Sequence, residues 1–83
     1  MKILQKLFNF KNKIVLITGS SGQIGSTITE LYLNLDAKVY GIDIKKPKIK
    51  NKNFFFIKNN ITNEKKIKIK IEKIFKKENK IDI

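Results

Sequence analysis

The sequence predicts an α/β fold, a partial doubly wound parallel sheet in the order β-α-β-β-α that breaks off at the start of a fourth strand. Three observations predict it. Two runs of four consecutive apolar residues, Ile14 to Ile17 and Phe54 to Ile57, are what strands covered on both faces require, and such strands belong to parallel sheets. Between the first run and the next strand lies a segment with helical periodicity. The two are joined by a turn with glycines at every third position, Gly19, Gly22 and Gly25. Strand and helix in alternation place helices on the faces of the sheet.

The elements follow in order. Residues 1–12 read as a lead-in, with Ile3, Leu4, Leu7, Phe8 and Phe10 forming a short amphipathic turn. That stretch is too short to cross a bilayer and lacks the small-residue cleavage site of a secretory signal. The first strand spans residues 13–18 and the turn residues 19–22. The first helix spans residues 23–35, where Ile24, Ile28, Leu31 and Leu35 make one helical stripe. Asp36 stands where the helix stops, and Asp tolerates a left-handed cap. The second strand runs from Lys38 to Ile42 or Asp43 on Val39, Tyr40 and Ile42. Residues 44–52 are lysine-rich, contain the sole proline, Pro47, and form a loop too short for a crossover helix. The third strand spans residues 54–58. Thr62 is the expected N-cap of the next helix, with Glu64 on the favourable end of its dipole. Residues 63–79 carry two patterns, a strand-like alternation from Ile67 to Ile71 and a helical stripe of Ile67, Ile71, Ile74 and Phe75. A span of that length without Gly or Pro favours the helix. Ile81, Asp82 and Ile83 open a fourth strand. Because the chain ends part-way into that strand, the expectation is an N-terminal piece of a longer protein, residues 13–83 being the incomplete domain.

Composition narrows the chemistry. The 83 residues suffice for one small domain. There is no Cys and no His, so disulfides, thiolate metal sites, Cys nucleophiles and the commonest general base are absent. The lack of Cys is compatible with a cytoplasmic protein. The net charge of +12 rests on 19 basic residues, all of them Lys. Lys, Asn, Ile and Phe share AT-rich codons, and the lysines are scattered, so base composition accounts for the charge. Arg, the residue suited to bidentate base and phosphate recognition, is missing. No nucleic-acid partner and no membrane partner is expected.

The glycine turn carries the chemistry. It follows a strand and opens a helix, which is the context that gives such a spacing meaning. Gly19 permits the sharp turn, Gly22 lets backbone approach a diphosphate, and Gly25 lets the helix pack closely on the strand. Amides around Gln23 and Ile24 then point at the negative charge with help from the helix dipole, and the hydroxyls of Ser20 and Ser21 add donors. Asp43 lies eighteen residues after Gly25, at the end of the second strand. An acid there accepts from ribose hydroxyls and repels a 2′-phosphate, which favours NAD over NADP. Lys45 and Lys46, just beyond, would tolerate a 2′-phosphate.

At these residues the sequence resembles the short-chain dehydrogenase/reductases. Thr18-Gly19-Ser20-Ser21-Gly22-Gln23-Ile24-Gly25 is the TGxxGxxG form of their turn, more typical of the extended epimerase/dehydratase branch. Phe8 to Lys13 resembles the lead-in of the simple oxidoreductase branch, Asn60-Ile61-Thr62 its strand-three terminus, and Lys80 to Ile83 its entry to strand four. The resemblance implies a Rossmann-type domain that binds NAD(P). It implies contacts from Ile44, beside Asp43, and from Asn60 and Ile61 at the adenine edge, with Asn60 in place of the usual Asp. It implies a Ser, Tyr and Lys catalytic set beyond Ile83, a carbonyl or alcohol substrate, and a homo-oligomer for the complete protein. Tyr32 and Tyr40 read as packing residues, so this chain carries no catalytic residue. On its own it is expected to bind a dinucleotide weakly or not at all and to turn nothing over. The alternatives are a sugar-nucleotide epimerase or dehydratase and a non-enzymatic nucleotide- or nucleic-acid-binding module.

Overall fold

A computed structural model of the chain describes residues 10–60 and 62–83. The expected amphipathic turn lies, up to residue 9, outside the described residues, as does Ile61. The elements are β1 (Ile14–Thr18), α1 (Gln23–Asn34), β2 (Lys38–Asp43), β3 (Phe54–Lys58) and α2 (Glu64–Glu78). The three strands form one sheet in the order β1-β2-β3, both pairs parallel.

Strand alternation sorts the apolar residues onto two faces. Val15 and Val39 pack with Leu33 and Ala37, at the α1 end, while Phe54 and Ile49 close over them. Ile14 and Tyr40 pack with Ile74 of α2, and Leu16, Phe55 and Ile57 join from the same face. One helix therefore covers each side, the doubly wound arrangement that the sequence predicts. No helix intervenes between β2 and β3. Ile49 of that loop plugs the α1 face in place of a crossover helix.

The fourth strand is present only as a trace. Leu16 N–H donates to the Ile83 carbonyl at 2.9 Å and Ile83 N–H to the Ile14 carbonyl at 3.3 Å. Those two bonds are the pattern of a parallel bridge beside β1. Asp82 reinforces it by accepting from the Ile14 N–H at 2.8 Å.

Three expectations need correction. A run covered on both faces along most of its length is found only at β2, whose Val39 to Ile42 are buried; β1 is buried only at Ile14 and Val15, and β3 is half-buried over Phe54 to Ile57 with Lys58 exposed. The reason is position: β2 is central and β3 is an edge. The stripe on α1 is not its docking face. Ile24, Ile28 and Leu31 are exposed, by 76% for Ile24; of the four only Leu35, at the C-cap, is buried, and within the helix the buried residues are Thr29 and Leu33. The inward face is the one on which Gly25 permits the backbone of α1 to approach the turn. Thr62 does not cap α2. Asn63 does, its Oδ1 accepting from Lys66 N–H at 3.2 Å. Thr62 is held one residue too early by Asn60, whose Oδ1 accepts from both the amide and the hydroxyl of Thr62.

The ambiguous segment is helical over Glu64–Glu78, with Asn79 as a left-handed C-cap at φ 65°. Asp36 likewise takes φ 67° after α1. A polar cluster ties α2 to the sheet. The buried Tyr40 hydroxyl donates to Glu78 Oε2, and Lys38 Nζ lies 2.6 Å from the same oxygen. Burial, then the hydrogen bond to Glu78, push the Tyr40 phenol above its ordinary pKa. Tyr40 stacks on Phe55 with centroids 5.1 Å apart. Tyr32 is a packing residue too, edge-on to Phe10 at 5.7 Å.

The Lys38 and Tyr40 hydrogen bonds hold the Glu78 carboxyl below its ordinary value of 4.5. A carboxylate with a lowered native pKa stabilises the fold above its unfolded pKa and loses that contribution as pH falls through the native value. Acid titration followed by far-UV circular dichroism should show helix loss beginning as pH falls below about 4.5. Glu78→Gln should be less stable at neutral pH and less dependent on pH in that window; an unchanged acid transition would contradict the role of Glu78.

Candidate dinucleotide-binding site

The carboxyl ends of the three strands are laced together, and the glycine turn lies across them. Gly19 N–H donates to the Ile42 carbonyl of β2 at 2.8 Å, and Asn59 N–H, past β3, to the Asp43 carbonyl at 2.9 Å. Gly19 has φ 72°, a left-handed conformation that favours glycine, and so reverses the chain at the end of β1. A Cβ on Gly25 would lie 2.0 Å from the Gly19 carbonyl oxygen and 2.9 Å from its carbon. Both are backbone atoms that cannot step aside. Gly25 therefore lets α1 start directly against the turn, and the helix docks along the face that continues from it, Gly25, Thr29 and Leu33.

Gly22 differs. It is the N-cap of α1 with an ordinary φ of −71°, and a Cβ there would meet nothing nearer than the Gly19 oxygen at 3.5 Å. Nothing within the described chain requires a glycine at that position. The absence of a side chain leaves open space above the first turn of α1. No side chain caps this helix, and no acidic residue stands in its first turn. The leading amides, at Gln23 and Ile24, have no intrahelical acceptor by construction. An N-terminus with these properties attracts an anion.

Asp43 faces this turn. Its Oδ2 accepts from the Ser21 N–H at 3.0 Å and its Oδ1 from the Ile44 N–H at 2.6 Å. These two bonds, Ser21 first, hold its carboxyl below the ordinary carboxylate range. The Ser21 hydroxyl donates to the Lys45 carbonyl. Ser20 behaves otherwise than expected. Its side chain is fully buried rather than offered as a donor at the surface, and its Oγ has no partner in the protein. It packs over Gly41, where a Cβ would come within 2.6 Å of Oγ. Asn60 is exposed beyond β3 with its Oδ1 engaged by Thr62, so only its amide NH₂ faces outward as a donor. Ile44 is 54% exposed.

The structure thus brings together Gly19, Ser21, Gly22, Gln23, Ile24, Gly25, Asp43 and Ile44. Asn60 stands further along the same edge, and Ile61 lies outside the described residues. Gly41 and the carbonyl of Lys45 escape a reading of the sequence. A glycine inside a strand does signal close approach, but what approaches it is not local. A cavity of about 650 Å³ opens at the opposite end of the sheet, lined by Lys11, Lys38, Lys52, Glu78 and Lys80 among others. It shares no residue with the turn, and in open parallel sheets ligands bind beyond the carboxyl ends. Among the described residues no group of three His, Cys, Asp or Glu side chains is placed to hold a metal, and no helix is long and apolar enough to cross a membrane.

A parallel βαβ unit, a glycine turn over its carboxyl end and an acid at the end of the second strand define a dinucleotide-binding α/β domain. Residues 15–83 match the NAD dependent epimerase/dehydratase family, and the chain belongs to that family. It is also similar to short-chain dehydrogenases, as the glycine turn implies. A short chain dehydrogenase from Leptospira borgpetersenii, solved with bound NAD+, superposes with a TM-score of 0.74 at 41% identity over 86% of this chain and 28% of that one. The aldohexose dehydrogenase of Thermoplasma acidophilum superposes with a TM-score of 0.79 at 30% identity, over 87% of this chain and 28% of that one. The short chain dehydrogenase ausX of Aspergillus calidoustus is 44% identical over 41 residues, 49% of this chain and 16% of that protein. The chain therefore spans under a third of the length of these relatives.

The different demands on Gly22 and Gly25 give a direct test. Gly25→Ala should cost about 3 kcal/mol or more, because the backbone beneath it cannot yield. Gly22→Ala should cost no more than about 1 kcal/mol, the loss of a tolerable N-cap. Urea unfolding of both variants measures the contrast; equal costs would contradict it.

Proposed function

We propose that this chain forms the adenosine-diphosphate half of an NAD site in an NAD(P)-dependent short-chain dehydrogenase/reductase. The observation that carries this reading is the unfilled space above Gly22 together with the uncapped start of α1. The residues fit the group. Amides at Gln23 and Ile24 would hold the diphosphate, Gly22 would leave it room, and the remaining lone pairs of Asp43 would accept from the ribose hydroxyls. Ile44, Ile61 and the Asn60 amide would border the adenine. The acid at position 43 favours NAD over NADP, since a 2′-phosphate beside it would be repelled.

The nicotinamide, when bound, supplies the hydride chemistry, exchanged with a carbonyl or alcohol of a small-molecule substrate. What this chain contributes is binding and orientation: Gly19 and Gly25 set the turn, and Asp43 sets the adenosine end. Catalytic residues would come from sequence beyond Ile83 in the complete protein, which we expect to be a homo-oligomer. The 83-residue chain by itself would bind weakly and turn nothing over. A second reading is a sugar-nucleotide epimerase or dehydratase of the extended branch. The TGxxGxxG spacing and the family match over residues 15–83 favour it. Both readings share the NAD site and differ in the catalytic and substrate-binding residues beyond Ile83.

Titration of NAD and of ADP-ribose into the chain, followed by amide chemical shifts, tests the shared site. Shifts should concentrate at Gly22 to Gly25 and Asp43, with dissociation constants near millimolar. Gly22→Val should remove them while leaving the shifts of Val15 and Val39 in place. Shifts spread over lysines and abolished by moderate salt would instead indicate generic anion binding.

A further inference from the structure

Asp43 does more in this fold than terminate β2. The turn between β1 and α1 has little to hold its own middle. Gly22 N–H donates to the Gly19 carbonyl at a long 3.2 Å, and Gly19 is anchored to Ile42 at 2.8 Å. Between those points the peptide of Ser21 is fixed from outside, by Asp43 Oδ2 at 3.0 Å. The other oxygen of the same carboxylate grips Ile44 N–H at 2.6 Å, so the carboxylate cannot swing away. The Ser21 hydroxyl adds a second strap to the Lys45 carbonyl. Asp43 is in turn steadied by its own carbonyl, which accepts from Asn59 at 2.9 Å. The path runs from the residue after β3, through Asp43, to the amide of Ser21, the residue before the N-cap of α1.

We propose that Asp43 is a positioning residue for the diphosphate turn: by holding the Ser21 amide, its carboxylate orients the peptides that lead into α1, whether or not a ribose is bound. The proposal rests on the reading of the turn as a diphosphate site. It carries a consequence opposite in sign to simple electrostatics. A carboxylate beside a diphosphate repels it. If Asp43 served the ribose alone, removing its charge would tighten a ligand that has no ribose. If Asp43 positions the turn, removing its charge weakens that ligand.

Inorganic pyrophosphate is the probe, since it lacks ribose and base. It is titrated into the 83-residue chain, into Asp43→Asn, and into Glu72→Gln, which removes the same charge from an exposed position on α2. Affinity is read from the amide shifts of Gly22, Gln23 and Ile24, and hydrogen exchange of the Ser21 amide is measured alongside. Asp43→Asn has one acceptor oxygen for two amide donors, so it satisfies at most one of Ser21 and Ile44 and loses the charge assistance at both. Pyrophosphate should bind about tenfold more weakly to Asp43→Asn, and Ser21 should exchange about tenfold faster or more, the effect of losing one charge-assisted hydrogen bond. Exchange at Val15 and Val39 should stay as in the parent, and Glu72→Gln should bind as the parent does or slightly tighter. Unchanged or tighter pyrophosphate binding to Asp43→Asn overturns the proposal. If the parent chain binds neither pyrophosphate nor NAD, the diphosphate reading fails by itself. The Ser21 exchange rate then decides whether Asp43 orders the turn, faster exchange supporting it and an unchanged rate overturning it. Should Asp43→Asn unfold, Asp43→Glu keeps the charge but moves it by one methylene, and the same two measurements apply.

Discussion

The close approach of α1 to the turn at Gly25 governs most of what surrounds it. With a hypothetical Cβ only 2.0 Å from the Gly19 oxygen, the helix starts nearer to the end of β1 than any residue with a side chain would allow at position 25. Its rotation about its own axis is then set. Gly25 faces inward, and Thr29 and Leu33 follow at four-residue intervals on the same face. Thr29 is buried with its hydroxyl donating to the Gly25 carbonyl at 2.7 Å, so its burial costs no unsatisfied group. The more apolar stripe of Ile24, Ile28 and Leu31 is left outward. Hydrophobicity along the helix alone would favour the other face; the close dock that Gly25 permits goes with this one.

The opposite face shows how a chain with a net charge of +12 still closes a core. Lysine stems and heads cover aromatic surface. Lys38 Nζ lies 5.0 Å from the Phe55 ring centre and Lys77 Nζ 5.5 Å from it, within the range of cation–π attraction. Glu78 then pairs with Lys38 and accepts a hydrogen bond from the Tyr40 hydroxyl. Polar side chains at the rim thus complete a face whose buried apolar residues, Ile14, Tyr40 and Ile74, are few.

How much of this was legible in the sequence depended on range. The three strands and both helices followed from apolar runs and periodicity, and the glycine turn from its spacing. The absence of a helix between β2 and β3 followed from loop length. What failed to show was set by tertiary contact. The buried face of α1 depends on Gly25 meeting Gly19 in space. The choice of Asn63 over Thr62 as N-cap depends on Asn60 capturing Thr62 first. Ser20 reads as a surface donor beside Ser21, and only the position of β2 beneath the turn buries it against Gly41. Asp43 was legible as an acid at a strand end, whereas its hold on Ser21, 22 residues away, was not.

The glycines separate two kinds of constraint that a sequence motif conflates. At Gly19 a positive φ, and at Gly25 a backbone contact, account for the residue within the protein itself. Gly25 would be needed even if the domain bound nothing, and at Gly19 glycine takes the left-handed turn with the least strain. At Gly22 the protein imposes neither demand, yet the position lies at the uncapped start of α1. A glycine N-cap is weaker than Ser, Asn or Asp, so stability alone would favour one of those side chains there. A diphosphate seated on the leading amides would supply the missing cap and would need the space that a Cβ occupies. The position least explained by folding is therefore the one that speaks most directly for a ligand.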